Sequence, residues 1–284
     1  MNAVFSNQIG AIARALIALC AAAVFAFGAE TTAKEAFDRG YAAYDRGDLQ
    51  EAIKQFTQAI EIDPNYAYAY NNRGLAYKNL GDYKKAIADF DQAIKIDPNN
   101  ASAYVGRGIA YDKLKDYKKA ISDYDQAIKI DPNYAIAYNN RGIAYLDIKD
   151  YKKAIADYDQ AIKIDPNYAI AYYNRAIAYE DGLGYRSKAI ADYAQAIKID
   201  PNYESAYFNR AIAYSEFSDY KNAIADYDQV IRLNPRKTYA YYNRAFAYRK
   251  LGDMKSATRD ARKACELGDC GQVNYLEENK LLSD

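Results

Sequence analysis

The chain contains no histidine and no tryptophan among its 284 residues. Histidine is the commonest general base and the commonest transition-metal ligand, so its absence removes the usual centre of acid–base and metal chemistry. The sequence also lacks a glycine-rich phosphate loop, a serine or cysteine nucleophile with a base, and cysteines at metal-binding spacing. We therefore expect no catalytic residues, no metal, no cofactor and no enzymatic activity.

Net charge is also lacking, because 38 basic residues balance 38 acidic residues. A neutral surface gives no electrostatic reason to expect nucleic acid or an anionic membrane as the partner. We therefore expect neither.

One stretch, residues 134–167, recurs with edits along almost the whole chain. The prolines that end each copy are 34 residues apart, except for one spacing of 35: Pro64, Pro98, Pro132, Pro166, Pro201 and Pro235. A regular period of this size indicates a solenoid of stacked repeats, which forms one elongated domain.

Each copy predicts a helical hairpin. Within residues 134–167, two sets of residues fall at i, i+4 and i+7 on either side of a short break: Tyr138, Gly142 and Tyr145, then Ala154, Tyr158 and Ala161. Pro166 cannot continue the second helix, and we expect Asn167 to cap the next helix at its N-terminus. Most of the 32 tyrosines recur at the repeat period, so we expect them to pack in the core.

This spacing of tyrosine, glycine, alanine and proline resembles the tetratricopeptide repeat, with tyrosine where that family often has tryptophan. It holds in seven successive copies. The resemblance implies an all-α fold: a right-handed α-solenoid of seven helix hairpins over residues 30–269, with a concave groove lined by the first helices. We expect residues 270–284 to form a C-terminal capping helix, whose apolar positions are Val273, Leu276 and Leu281.

Residues 1–29 do not belong to the repeats. Arg14 is their only charge, and a continuous apolar run extends from Ala15 to Phe27. This is the layout of a signal peptide, and the run is short for a membrane-spanning helix. We expect cleavage before Ala29 and a periplasmic or secreted protein. The alternative is an uncleaved N-terminal anchor, which would be the chain's only contact with a membrane.

Cys265 and Cys270 would be the only cysteines of the exported chain, since Cys20 leaves with the signal peptide. An even number of cysteines in an oxidising compartment suggests a disulfide. Five residues apart on one straight helix they would be too distant to bridge, but Gly268 allows the chain to turn back. The disulfide is a hypothesis, and two free thiols are the alternative.

An arginine stands in every first helix, where the tetratricopeptide pattern usually has leucine: Arg39, Arg73, Arg107, Arg141, Arg175, Arg210 and Arg244. Six of the seven second helices carry an aspartate at a matching position. An arginine whose stem packs between the helices while its guanidinium meets that carboxylate would explain both residues. The alternative is a ladder of arginines directed at an anionic ligand.

An asparagine precedes that arginine in five repeats: Asn72, Asn140, Asn174, Asn209 and Asn243. In tetratricopeptide proteins similar to the nucleocytoplasmic GlcNAc transferase, asparagines in this position line the groove and hold a peptide backbone. A carboxamide suits that role because it both donates and accepts hydrogen bonds. The alternative is a row of solvated helix residues.

Positions that face the groove in the family hold apolar and aromatic residues here, among them Phe37, Tyr41, Tyr173, Phe208, Tyr242 and Phe246. Such a stripe would bind an amphipathic helix or an extended apolar segment, unless neighbouring repeats bury it. We therefore expect a non-enzymatic scaffold that binds a protein or peptide in its groove. The alternative is a glycan- or cell-wall-associated module whose tyrosines stack on sugar rings.

Overall fold

The computed structural model describes residues 32–279 and 281–282. The predicted signal peptide, or N-terminal anchor, lies outside the described residues. The chain divides into two compact units, Met1–Asn133 and Tyr134–Asp284. Within the described part of the chain, no helix has the length and apolar content that crossing a membrane requires.

The first unit contains three helical hairpins. The helices are α1 over residues 32–45, α2 Leu49–Ile62, α3 Ala67–Asn79, α4 Tyr83–Ile96, α5 Ala101–Lys113 and α6 Tyr117–Ile130. Helix α3 packs on α4 and α5 packs on α6 within their hairpins, and α2 and α4 also pack on the first helix of the next hairpin.

The second unit contains four hairpins and a short final helix. Its helices are α7 Ala135–Asp147, α8 Tyr151–Ile164, α9 Ala169–Leu183, α10 Arg186–Ile199, α11 Glu204–Glu216, α12 Tyr220–Leu233, α13 Thr238–Leu251, α14 Met254–Glu266 and α15 Gly271–Glu278. The predicted all-α solenoid of paired helices is confirmed. None of the described residues forms a β-strand.

Aspartate caps most of the second helices, but asparagine does not cap α9. The Asp150 carboxylate accepts a hydrogen bond from the Lys153 N–H at the start of α8. The expectation that Asn167 is an N-cap is wrong. Tyr168 occupies the N-cap position of α9, and the Asn167 N–H donates to Asp165 Oδ1 at 2.9 Å. The Asp-Pro-Asn segment is therefore an Asx turn, in which the aspartate side chain holds the backbone.

A fully buried aromatic ring from the second helix lies against a small residue of the first helix. In the fourth hairpin these residues are Tyr158 and Gly142. A methyl group added at Gly142 would lie 2.6 Å from Tyr158 Cε1, so glycine is needed for this close approach. The following hairpins have buried alanines in the same position, namely Ala176, Ala211 and Ala245.

In the second to seventh hairpins the first-helix arginine pairs with the aspartate of its own hairpin, whereas Arg39 of the first hairpin donates to Gln55 Oε1 at 3.0 Å. Arg210 Nε and Nη2 lie 2.8 and 2.7 Å from Asp226 Oδ2 and Oδ1, and Asp226 is 5% exposed. This bidentate geometry is the strongest form of the pair. It recurs as Arg73–Asp89, Arg107–Asp123, Arg141–Asp157, Arg175–Asp192 and Arg244–Asp260. The pairing favours the structural interpretation of the arginines over a ladder directed at an anionic ligand.

Several of these arginines also bind the second helix of the preceding hairpin. Arg107 Nη1 is 2.5 Å from Asp91 Oδ1, and Arg175 Nη1 is 2.6 Å from Asp159 Oδ1. The same pair forms between Arg244 and Asp228. One guanidinium therefore joins two successive hairpins. The equivalent position before Arg210 is Ala194, so a carboxylate is missing there.

Tyrosines flank the guanidinium groups. Arg175 Cζ lies 5.5 Å from the ring centroid of Tyr172 and 5.9 Å from that of Tyr179, within cation–π distance. These rings are half-buried. The expected packing of tyrosine in the core therefore applies to the second-helix rings, such as Tyr158, while first-helix tyrosines cover the arginines.

The extra residue of the fifth repeat lengthens a helix. The two glycines at residues 182 and 184 predict a longer turn, but α9 continues through Gly182 to Leu183 and has 15 residues. The turn begins only at Gly184, which adopts a left-handed φ of 64°. Glu180 and Asp181 lie in the last turn of α9, just before the extension.

The final helix packs on the last hairpin. Leu276 of α15 is 1% exposed and lies in a cluster with Ala245 and Ala261. The helix is shorter than expected, because it ends at Glu278 and Leu281 is 39% exposed. Gly268 has a φ of 107°, which reverses the chain between α14 and α15.

Cys265 and Cys270 are joined by a disulfide in this structure, with their Cα atoms 4.0 Å apart. Cys265 lies in the last turn of α14, and Cys270 is the N-cap residue of α15. The bond therefore ties the final helix to the last hairpin at their junction.

Replacing Arg210 with Met should lower the free energy of unfolding by about 3 kcal/mol, because it leaves the buried Asp226 carboxylate without its cation. Changing Asp226 to Leu as well should recover most of that loss. Urea unfolding measures both. The control is Arg232→Met on the exposed face of α12, which should change stability by no more than about 0.5 kcal/mol. A harmless Arg210→Met change would contradict the structural role of the pair.

Candidate functional site

The second unit contains a cleft that crosses its second, third and fourth hairpins. It consists of two adjoining depressions of about 380 and 480 Å³. Both depressions are lined by Ile212 and Glu216 of α11, and we call the combined surface the Ile212 cleft. A continuous concave surface of this size suits a short peptide segment.

The first depression lies between α9, α10 and α11. Its other lining residues are Ile177, Glu180, Asp181, Arg186, Tyr193 and Asn209. The residues at the end of α9 thus border the cleft. This location favours a part for the extra residue of the fifth repeat in shaping the groove, over an insertion that is merely tolerated.

The second depression lies between α11, α12 and α13. Its lining includes Ser215, Tyr220, Tyr227, Asn243, Phe246 and Lys250. The rings of Phe246 and Tyr220 meet edge to face, with centroids 6.3 Å apart. The lining of the cleft therefore combines apolar and polar side chains.

Glu180 is the half-buried acid of the first depression. Its Oε2 atom accepts a hydrogen bond from the Tyr193 hydroxyl at 3.0 Å. Burial raises the pKa of the Glu180 carboxyl above its usual range, and the neighbouring Glu216 and Asp181 carboxylates add to the rise. Burial likewise raises the pKa of Tyr193, so its hydroxyl remains a donor.

Acidic groups outnumber basic groups in this depression. Arg186 forms an ion pair with Glu216 across it. Glu180 and Asp181 are the remaining carboxylates of the lining. The end of the cleft at α9 therefore carries negative charge that Arg186 does not balance.

Two of the five predicted asparagines, Asn209 and Asn243, line the Ile212 cleft. The Asn209 amide donates to the Tyr173 hydroxyl at 3.1 Å. Asn174 instead donates to the buried Asn139, with 3.0 Å between Nδ2 and Oδ1. Asn140 is half-buried on α7.

In the first unit, the Asn72 amide donates to the Tyr68 carbonyl of its own helix at 2.8 Å. The two aromatic residues predicted to face the groove in this unit differ in their burial. Phe37 packs against Phe56, with ring centroids 5.6 Å apart, whereas Tyr41 is 55% exposed. Neither residue lines the Ile212 cleft, which belongs to the second unit.

Of the aromatic residues predicted in the second unit, Phe246 lines the cleft and the others pack between helices. Tyr173 lies 5.0 Å from Tyr203 between ring centroids. Phe208 meets the buried Tyr227 at 6.0 Å. The Tyr242 ring lies beside Gly271 at the start of α15.

The sequence interpretation missed the polar residues of the cleft. Glu180 and Ser215 occupy the position five residues after the arginine, which differs in every repeat: Tyr44, Lys78, Asp112, Leu146, Glu180, Ser215 and Arg249. The two positions before it barely change, being alanine in all seven repeats and then tyrosine in all but the first. Aligning the repeats with one another would therefore have identified this variable position as a candidate for the lining of the groove.

Family models described as tetratricopeptide repeats match residues 67–100, 101–134, 135–168, 157–189 and 238–267. A further model, described as a TPR repeat, matches residues 40–81, 186–216 and 218–252. The chain belongs to the tetratricopeptide repeat family. Tetratricopeptide proteins bind protein or peptide partners and are generally non-enzymatic. This one is accordingly a protein–protein interaction scaffold.

Three solved structures illustrate the similarity of the tetratricopeptide fold. A tetratricopeptide repeat protein from Parabacteroides merdae has 22% identity, a TM-score of 0.61, and coverage of 88% of this chain and 98% of that chain. MamA from Desulfovibrio magneticus RS-1 has 26% identity, a TM-score of 0.53, and coverage of 60% of this chain and 96% of that chain. PilF of Pseudomonas aeruginosa has 19% identity, a TM-score of 0.66, and coverage of 75% of this chain and 97% of that chain. A search of curated proteins finds no match.

Replacing Glu180 with Gln should raise the melting temperature of this tetratricopeptide protein at pH 7. The raised pKa means that the folded state disfavours the charged carboxylate, so the destabilisation is present above the folded pKa and absent below the unfolded pKa. The gain should therefore vanish below about pH 4. Thermal unfolding across this pH range checks it, with Glu61→Gln at an exposed position of α2 as control. A gain that persists at low pH would contradict the assignment.

Proposed function

We propose that the Ile212 cleft binds an extended segment of a partner protein. The observation that carries the proposal is the continuity of the cleft, because Ile212 belongs to both depressions and Asn209 and Asn243 lie along it. An apolar side chain of the partner packs on Ile212 and Phe246, and the carboxamides bond to its backbone.

The charge of the cleft indicates one feature of the partner segment. Glu180 and Asp181 stand at the α9 end, where a lysine or arginine of the bound segment forms an ion pair. Apolar residues of the segment then lie toward Phe246 at the other end. The proposed ligand is a short sequence with a basic residue followed or preceded by an apolar one.

A displayed peptide library selected on the full chain tests this proposal. Enriched peptides should contain a basic and an apolar residue, and they should bind Ile212→Lys at least about tenfold more weakly than the wild type. The control is Ile170→Lys on α9, since Ile170 is 47% exposed and does not line the cleft.

Asn243→Ala provides a second variant with little risk to folding, and circular dichroism confirms that each variant is folded. It should weaken binding without changing which peptides are selected. Peptides that bind both cleft variants as tightly as the wild type would refute binding at this cleft. The alternative of a glycan-binding module predicts retention on insoluble polysaccharide and no enriched peptide.

We also propose that the protein is exported and works in the periplasm or outside the cell as a non-enzymatic scaffold. The support is the apolar run from Ala15 to Phe27 with its single preceding charge, Arg14. The bond between Cys265 and Cys270 in the structure suits an oxidising compartment.

The intact mass of the protein from its native cell envelope tests export. We expect a chain that begins at Ala29 and is lighter by two hydrogen atoms than its fully reduced form. The reduced and alkylated sample is the matched control, because both cysteines then react. A chain that retains Met1, or one with two free thiols before reduction, would contradict cleavage or the disulfide respectively.

A further inference from the structure

The last second helix, α14, differs in charge from the helices it repeats. Three of its cations replace residues that are uncharged or acidic one repeat earlier: Arg259 replaces Ala225, Arg262 replaces Asp228, and Lys263 replaces Gln229. The position of Lys263 is glutamine in all six earlier repeats. Because α12 forms the same hairpin without these cations, the fold does not require them.

These cations border a cleft of about 750 Å³ between α13 and α14, which we call the α14 cleft. Its cationic lining residues are Arg244, Lys255, Arg259, Arg262 and Lys263, and its acids are Asp260 and Glu266. It shares no lining residue with the Ile212 cleft. The two surfaces can therefore be tested separately.

Both acids of the α14 cleft are already paired. Asp260 binds Arg244 and also Arg259, whose Nε lies 3.1 Å from Asp260 Oδ1. Glu266 binds Lys263 at 2.9 Å. Arg259 is nevertheless 63% exposed in its side chain, and Arg262 is exposed as well. The cleft thus retains a positive charge that faces solvent.

The register of the repeats indicates what this charge meets. In four of the six earlier hairpins the position of Arg262 holds an aspartate, and Asp228, for example, accepts the arginine of the next hairpin, Arg244. Arg262 places a positive charge at this position in the last hairpin. The group complementary to Arg262 is a carboxylate.

We propose that the α14 cleft binds a carboxylate-rich segment of a partner protein. Arg262 and Arg259 pair with its glutamate or aspartate side chains, and Lys255 adds to the attraction. The observations favour a protein segment over a phosphate polymer or a membrane, because the position of Arg262 is one at which earlier repeats form ion pairs between a carboxylate and a guanidinium of the protein.

A fluorescein-labelled oligoglutamate peptide is the probe, and oligoglutamine of the same length is its neutral control. Fluorescence anisotropy on the full chain should show binding of oligoglutamate alone, weakened by added salt. The variant Arg259→Ala, Arg262→Asp, Lys263→Gln restores the residues of α12. It should fold normally and bind oligoglutamate at least about tenfold more weakly.

The matched control is Lys84→Gln, Lys118→Gln, Lys152→Glu, which lowers the net charge by the same amount at exposed positions elsewhere. It should bind oligoglutamate like the wild type. Equal binding by the α14 variant and the wild type overturns the proposal. Tighter binding of inorganic phosphate, or of phosphatidylglycerol vesicles, than of oligoglutamate overturns the assignment to a protein segment.

Discussion

The bidentate bond between an arginine and an aspartate is the interaction on which the repeats depend. Burial raises the pKa of the Asp226 carboxyl, and the hydrogen bonds from Arg210 oppose that rise. Burial of each charged side chain is therefore tolerated only because its oppositely charged partner is present. Where a second aspartate is present, the same guanidinium also binds the preceding hairpin, as Arg175 binds Asp159. In an array whose repeats contact only their neighbours, such a bond fixes their register.

The most variable position of the repeat lines the Ile212 cleft, whereas the recurring residues build the packed core. The buried rings, the small residues beneath them and the arginine pairs recur nearly unchanged. The position five residues after the arginine instead varies from Lys78 to Glu180 to Ser215. A scaffold built in this way changes its ligand without disturbing its core, because the varied side chains lie at the edge of the packed interface. The mixed polarity of the Ile212 cleft follows from this variation.

The period and the periodic residues predicted the hairpins and the arginine–aspartate pairing, since both are local and repeated. The detail of the site was less predictable. Asn174 donates a hydrogen bond to Asn139, whereas Asn72 donates one to the backbone of its own helix. The same position in the repeat therefore does not have the same role in every repeat. The extension of α9 through Gly182 also escaped prediction, because glycine favours a turn only where no helix continues through it. Neighbouring side chains decided both outcomes.

The alanine at position 194 has a consequence for cooperativity. Free energy in a linear array is a sum over repeats and over the interfaces that join them, and unfolding divides the array where an interface is weakest. Arg210 lacks the second carboxylate that Arg175 and Arg244 possess, so the fifth and sixth hairpins share one ionic bond fewer. The Ile212 cleft crosses this same interface. A segment bound there, as we propose, would contact both hairpins and so add to the coupling between them.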